Sequence, residues 1–191
     1  MIPLAGVLYT AAFAAMSVLR REGFSPAFVV QSLAITAVFS AVNLLAGSRL
    51  HPVAFVLALY LLTMRVRILL DLGSLLASRG RGSDAGRVYE LALALLPSPA
   101  EQSIAAINMG VCRLLAGDAS SAAGLLSAAL RDAERRRVGV RYRSAGHYNL
   151  GIACIKQGKK TEAAAELQRV LDLWPVSEYA RRAEASLRQL R

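Results

Sequence analysis

The chain has 191 residues, which is enough for one or two domains, and its hydrophobic fraction of 55% is high for a soluble globular protein. Its formal net charge of +10 at pH 7 favours acidic partners or anionic lipid. The two cysteines, Cys112 and Cys154, are far apart and form no CxxC pair, which argues against a metal or disulfide framework.

The apolar residues concentrate in the N-terminal third of the chain. No Asp, Glu, Lys or Arg occurs from Ile2 to Leu19, from Ser25 to Ser48, or from Leu50 to Met64. The sequence therefore predicts two parts, an apolar segment over residues 1–65 and a polar segment over residues 66–191.

The first predicted membrane helix covers about residues 2–19. Its 18 residues are near the lower limit for a helix that crosses a hydrocarbon core about 30 Å thick. A cleaved signal peptide is the alternative, but it would have Lys or Arg before its apolar core, and only Met1 precedes this one. We therefore favour a retained membrane helix. A short charged loop at residues 20–22 follows, and Gly23 marks the break before the next helix.

The second predicted span covers about residues 26–47 and has a polar face. Its polar residues recur about three to four positions apart, which places most of them on one side of a helix. They are Gln31, Ser32, Thr36, Ser40 and Asn43. We expect them to face other helices. A substrate path is the alternative, but the span carries no charge that would mark one.

The third predicted span covers about residues 50–70. Its uncharged run ends at Met64 and is short for a full crossing, so the helix has to continue through Arg65 and Arg67, whose long side chains can reach the headgroups. Pro52 suits the first turn of this helix, where its missing N–H has no intrahelical partner to lose.

The charged residues beside the spans predict their orientation, because cytoplasmic loops are enriched in Lys and Arg. Three spans with the N-terminus outside place the Arg20–Arg21 pair in the cytoplasm, Arg49 outside, and the Arg65–Arg67 pair in the cytoplasm. Two spans would put either the first loop or the whole basic C-terminal part on the wrong side. The prediction is an integral protein of a bacterial cytoplasmic membrane with its polar segment in the cytoplasm.

A pattern of small residues occurs three times in the polar segment. Each copy has a Gly, a second Gly seven residues later and an Ala five residues after that, and chance is a poor explanation because only 14 residues are Gly. The copies begin at Gly73, Gly110 and Gly151. They define three units over about residues 66–99, 103–136 and 144–177.

The third unit carries the most complete version of this pattern. Its spaced residues are His147, Leu150, Gly151, Ala163, Leu167, Val170 and Pro175. This unit resembles a tetratricopeptide repeat. The resemblance implies two antiparallel helices per unit, with Gly151 and Ala163 leaving room where the helices approach each other. Gly158 would end the first helix in a left-handed conformation.

The fold prediction is all-α: N-terminal transmembrane helices, three by the count above, followed by a short α-solenoid similar to tetratricopeptide-repeat proteins. The amphipathic segment over residues 178–190 would cap the last unit, as the ends of solenoids require. The second unit departs from the pattern because Glu134 stands where the closing Pro would be. No Gly or Pro separates Met64 from Leu72, which predicts a continuous helix and a rigid attachment of the solenoid to the bilayer.

The interval between the second and third units contains extra residues, Arg131 to Arg143, which are rich in Arg and include Tyr142. Three interpretations are open: a solvated helix end, contact with anionic headgroups or an acidic partner subunit, and, least favoured, nucleic acid contact through Arg and a stacked Tyr. The candidate residues for an anionic lipid or acidic partner are Arg65, Arg67, Arg135, Arg136, Arg137, Arg141 and Arg143.

No motif for catalysis or cofactor binding occurs in the sequence. HExxH, GxSxG, GxxxxGK[ST] and GxGxxG are absent. The two histidines are His51, at a predicted membrane edge, and His147, at a packing position of the repeat. We therefore expect no enzymatic activity, no cofactor and no metal, and we expect both cysteines to act as small apolar side chains.

In the family that the third unit resembles, the first helices of successive units line a concave surface where partner peptides lie. The residue two before the first Gly of each unit would project into it: Asp71, Asn108 and Asn149. An Asn amide can donate to and accept from a peptide backbone, whereas Asp71 departs from this type. Neighbouring candidates are Ser74, Val111, Tyr148, Ile152 and Lys156, with Tyr148 as an aromatic anchor. The alternative is that the Asn side chains only hydrogen-bond between helices of adjacent units.

Two functions fit these expectations. The first is a non-enzymatic adaptor or scaffold that is anchored in the membrane and gathers another protein at the cytoplasmic face. The second is an integral structural subunit of a larger membrane complex, with the spans packing on other subunits. In both cases the partner is a protein, and a nucleic acid partner is disfavoured.

Overall fold

A computed structural model describes residues 1–19, 26–45, 47 and 51–190. Within these residues the chain is entirely helical, as the sequence predicts. The helices are α1 Ile2–Leu19, α2 Pro26–Leu45, α3 Pro52–Ser78, α4 Gly82–Ala94, α5 Pro99–Leu115, α6 Ala119–Arg135, α7 Val140–Lys156, α8 Lys160–Leu173 and α9 Glu178–Leu190. The chain divides into two compact units, Met1–Val66 and Arg67–Arg191.

Several predicted features lie outside the described residues. These are the charged loop at 20–22 with Gly23, the Arg49 on which the predicted orientation depends, and the start of the third apolar run at residue 50.

The first unit contains α1, α2 and the beginning of α3, and its core is largely aromatic. Phe55 and Leu59 of α3 are fully buried with Tyr9 of α1. The rings of Tyr9 and Phe13 lie 4.6 Å apart between centroids, and Phe28 of α2 lies 5.9 Å from Phe13. These large side chains tie the three helices together from the inside.

Hydroxyl groups add polar contacts inside the first unit. Tyr9 Oη lies 2.6 Å from Thr63 Oγ1, and Thr10 Oγ1 lies 2.9 Å from Ser32 Oγ. Gly6 leaves room for Thr36, because a Cβ at Gly6 would lie 2.3 Å from two atoms of the Thr36 side chain. The prediction that the polar face of the second apolar helix is turned towards other helices is confirmed at these two buried positions of α2.

Among the described residues, two helices are long and apolar enough to cross a membrane. They are α2, over Phe28–Leu45, and α3, over Pro52–Ser78. The apolar stretch of α1, Ile2–Ser17, is shorter. Helix α3 runs for 27 residues without interruption, which confirms the predicted continuity through Arg65 and Arg67.

The second unit is built from helices that pack mainly on their neighbours in the chain. Helix α5 packs on α4, α6 and α7, and α7 packs on α6 and α8. Helix α9 lies against α8 and α7, where Ala183 joins Leu167 and Val170 in a buried cluster. The segment predicted as a cap therefore does cover the end of the last helical pair.

The repeated glycines lie where two helices come closest. A Cβ at Gly110 would lie 2.7 Å from Leu126, one at Gly151 would lie 2.9 Å from Leu167, and one at Gly73 would lie 2.3 Å from the ring of Tyr89. The repeated alanines on the facing helices are fully buried: Ala85, Ala122 and Ala163. The packing reason given for these small residues is confirmed in all three copies.

The second glycine of each copy ends a helix. Gly80, Gly117 and Gly158 have φ angles of +77°, +90° and +75°, which is the left-handed region that glycine adopts without strain. The next N–H then bonds back to the last turn, as Lys159 does to the Cys154 carbonyl at 3.0 Å. The left-handed cap predicted at Gly158 is confirmed, and the other two copies share it.

Helix α6 ends with the same turn but without a glycine. Arg137 has a φ of +52°, and the Val138 N–H bonds to the Ala133 carbonyl at 2.9 Å. Val138 is buried and holds the turn against the core. A left-handed residue other than Gly costs about 1 kcal/mol. Part of the extra sequence between the second and third units therefore forms this strained turn.

Candidate protein-interaction surface

The residues predicted to line a concave surface lie on α3, α5 and α7. Asp71, Ser74 and Lys156 are exposed. The half-buried residues are Asn108, Val111, Tyr148, Asn149 and Ile152. Eight side chains are thus accessible in whole or in part, but their contacts differ.

Asn108 is engaged with a neighbouring helix. Its Nδ2 donates to Ser74 Oγ at 3.3 Å, which joins α5 to α3. Ser74 Oγ in turn donates to the Leu70 carbonyl at 2.9 Å and lies 3.3 Å from Tyr89 Oη. Since a serine hydroxyl has one proton, Tyr89 has to be the donor in this last contact. Burial raises the pKa of Tyr89 to about 12, so the phenol keeps its proton.

This arrangement agrees with the alternative in which the Asn side chains bond between helices, at least for Asn108. Asn149 behaves differently, because its Nδ2 donates to the Ala145 carbonyl of its own helix at 2.8 Å. That bond orients the amide without joining two helices.

The apolar candidates are also partly used in packing. The ring of Tyr148 lies 5.8 Å from the ring of Tyr179 on α9, at an interplanar angle of 48°. Val111 and Ile152 pack against the core of the second unit. The half-buried state of these three residues therefore has a structural reason, and only part of each side chain is presented to a ligand.

The Arg-rich segment is held by bonds within itself and by one bond to Gln102 of α5. Arg135 pairs with Asp132 and, by that hydrogen bond, lowers the pKa of the carboxyl group. Arg136 donates to Gln102 Oε1 at 3.4 Å, and Arg143 donates to the Val138 carbonyl at 2.9 Å.

The other members of this segment differ in exposure. Arg141 is exposed, whereas Tyr142 packs against the core and is not an exposed stacking ring. A shallow open hollow is lined by Arg131, Glu134 and Arg135. The surface here is basic, but two acidic side chains partly neutralise it.

The partners of the His147 side chain could not be predicted from the sequence. It is fully buried, as its packing position predicts, with Nδ1 at 2.6 Å from Glu166 and Nε2 at 3.5 Å from Glu134. A carboxylate can only accept, so the ring nitrogen that faces Glu166 carries a proton. Arg169 lies 3.6 Å from the same carboxylate. Helices α6, α7 and α8 are joined at this one imidazole.

The potential metal-binding side chains of the described residues are not clustered. Among them, no three His, Cys, Asp or Glu side chains come together in a way that could hold a metal ion. Glu134 and Glu166 contact different nitrogens of the His147 ring. Burial raises the pKa of both Cys112 and Cys154, which disfavours the reactive thiolate.

No family model matches this sequence, and no curated protein matches it either. The protein is therefore classed by its fold. Its described residues are all-helical, and they include two helices that could cross a membrane by length and composition.

Proposed function

We propose that this protein is a membrane-anchored adaptor whose second unit, a solenoid similar to tetratricopeptide-repeat proteins, holds a protein partner at the cytoplasmic face. In this proposal α1, α2 and α3 all cross the bilayer and the N-terminus is outside. The observation that carries it is that the same packing contact, a glycine against a bulky side chain of the facing helix, occurs in three successive helical pairs.

The repeated glycine contact supports a solenoid because it makes each helical pair equivalent to the next. In a globular helical domain each pair of helices can pack in its own way. Here the same glycine, the same left-handed turn and the same buried alanine return in register three times. Helices that pack mainly on chain neighbours, closed by a capping helix, are the arrangement of repeat proteins.

The surface of the first unit supports a membrane anchor. Four of its hydroxyl-bearing side chains are buried, while many of its large aliphatic side chains are exposed. The four are Thr10, Ser32, Thr36 and Thr63. The aliphatic side chains that are more than half exposed are Leu4, Val7, Leu8, Val30, Val38, Val42, Leu44, Leu45, Val53, Leu57 and Leu61. A water-soluble helical bundle of this size would aggregate through such a surface, whereas a bilayer covers it.

The buried hydroxyls also bear on the second candidate function, a structural subunit of a larger complex. A polar face on a membrane helix is a reason to expect other subunits beside it. In this chain Ser32 Oγ lies 2.9 Å from Thr10 Oγ1 of α1. The Thr36 hydroxyl donates to the Ser32 carbonyl of its own helix, and its side chain packs against Gly6 of α1. Neither position therefore gives a reason to expect another subunit. The adaptor is therefore the better supported of the two.

Photo-crosslinking in native membranes tests the adaptor function. A crosslinking residue is introduced at Ser74 or Lys156, which are exposed on the first helices of the first and third pairs. The matched control is Lys160, an exposed residue at the start of α8. We expect the same discrete protein adduct from both test sites and none from the control. Equal adducts at all three sites, or none at the test sites, contradict a partner-binding surface.

A further inference from the structure

The beginning of the second unit carries an exposed apolar face on α3. Ile68, Leu72 and Leu75 are 37%, 42% and 46% exposed. Their spacing of four and three residues places them on one side of the helix. The repeat pattern makes Leu72 a packing residue, and its exposure is a departure from that expectation.

The same register is covered in the third helical pair. Residues five before, one before and two after the first glycine are Ile68, Leu72 and Leu75 on α3. On α7 they are Gly146, Leu150 and Ala153, and all three are buried. The preceding pair covers them: a Cβ at Gly146 would lie 2.8 Å from Leu130 of α6 and 3.5 Å from Ile107 of α5.

The shape of the α3 face does not suit another helical pair of this kind. On α7 the contact is close because a small residue receives Leu130. On α3 the equivalent positions hold Ile68 and Leu75, so a neighbouring helix with a leucine at this point would meet a ridge instead of a hollow. Acyl chains have no fixed shape and pack against branched side chains without such a requirement.

The length of α3 brings this face to the level of lipid. From Pro52 to Leu75 the helix rises about 35 Å, at about 1.5 Å per residue. A bilayer is about 30 Å thick across its hydrocarbon core and about 40–45 Å with its headgroups. A tilt of about 20°, ordinary for membrane helices, leaves Leu75 within the headgroup region. Arg79, exposed one turn further along the same side, is then placed to meet lipid phosphates.

We infer that the face formed by Ile68, Leu72 and Leu75 lies in the cytoplasmic leaflet of an anionic bilayer, among the headgroups and the parts of the acyl chains next to them. The lipid covers this face of the first helical pair, as the second pair covers the equivalent face of the third pair. This inference rests on the membrane anchorage under the proposed function, because α3 has to enter the same bilayer. It adds that the membrane serves as the N-terminal cap of the repeat array.

Spin-label accessibility in reconstituted vesicles tests this inference. The full chain carries Cys112→Ala and Cys154→Ala, with single cysteines at Ile68, Leu72 or Leu75 labelled by a nitroxide, in vesicles that contain phosphatidylglycerol. Oxygen dissolves in acyl chains, whereas a water-soluble nickel chelate is excluded from them. We expect the ratio of relaxation enhancement by oxygen to that by the chelate to be highest at Ile68 and to fall towards Leu75. At all three sites the ratio should stay above that of a water-exposed site. If one variant is poorly produced, the other two sites carry the same comparison.

Two control sites separate the possible failures. Leu57, 58% exposed in the apolar part of α3, should report lipid, and Arg87, exposed on α4, should report water. If Leu57 reports lipid while the three test sites favour the nickel chelate, the inference is wrong and the anchorage stands. If neither reagent reaches the test sites, a protein covers them and the inference is also wrong. If Leu57 reports water, both the inference and the proposed anchorage fail.

Discussion

The nesting of glycine under a bulky side chain predicts opposite effects for two glycine-to-alanine substitutions. Gly110 and Gly124 both lie inside helices, so replacing either by Ala removes the same backbone freedom from the unfolded chain and should gain about 1 kcal/mol. The new Cβ at Gly124 would have nothing within 4 Å. Gly124→Ala should therefore stabilise the protein by close to that full amount.

The same change at Gly110 meets a filled site. Its Cβ would lie 2.7 Å and 2.9 Å from two carbons of Leu126, a side chain that is fully buried, so this side chain would have to shift within the core. Overpacking of this kind costs about 1–3 kcal/mol. The propensity gain offsets part of it, so Gly110→Ala should range from neutral to destabilising by about 2 kcal/mol. The two variants should differ by about 1–3 kcal/mol.

Thermal unfolding of the full chain in detergent, followed by far-ultraviolet circular dichroism, measures this difference. For a unit of this size, 1 kcal/mol shifts the Tm by about 3–5 °C. We expect Gly124→Ala to raise the Tm and Gly110→Ala to leave it unchanged or lower it. If Gly110→Ala raises the Tm as much as Gly124→Ala does, the helices do not approach closely at that glycine and the repeat packing is refuted.

Four further substitutions test other contacts by the same unfolding measurement. Arg137→Gly should stabilise the chain by about 1 kcal/mol, because it relieves a left-handed residue; a loss of stability would contradict that turn. Asn108→Ala should cost about 1 kcal/mol and Asn149→Ala less, since only the first amide joins two helices; equal costs would count against this assignment. His147→Phe should cost about 1–3 kcal/mol, because it removes a buried hydrogen-bond partner of Glu166; a neutral result would mean that the pair contributes only packing.

The features that could be predicted from the sequence are those encoded within one helical pair. The need for a small residue at Gly151 and for a left-handed turn at Gly158 depends only on how two consecutive helices meet. The polar face of α2 is likewise visible from spacing alone, and Ser32 and Thr36 are buried as expected.

Contacts between pairs could be predicted only in part. A bond from Asn108 to a neighbouring helix is one of the two alternatives that the sequence leaves open, but its partner Ser74 lies 34 residues earlier in the chain, and no local pattern encodes that distance. Tyr148 is half covered because α9 folds back and brings Tyr179 against it.

His147 shows the same limit from another side. Its position predicts burial, but its two carboxylate partners come from α6 and α8, and one of them, Glu134, occupies the place of a closing proline. The other two copies of the repeat pattern have a proline at this position, so Glu134 departs from the pattern. In the folded chain the side chain at this position turns back to the imidazole and connects the second pair to the third.

The proposed function requires that the apolar helices hold the second unit at the cytoplasmic face of a membrane. A membrane-impermeant maleimide tests it directly, with a single cysteine at the exposed Lys160 of an otherwise cysteine-free chain expressed in bacterial cells. We expect this cysteine to be labelled in inverted membrane vesicles and protected in intact spheroplasts, and we expect the protein to remain in the membrane after a high-salt wash. Labelling in intact spheroplasts, or release of the protein by the wash, would show that the second unit is not held at the cytoplasmic face.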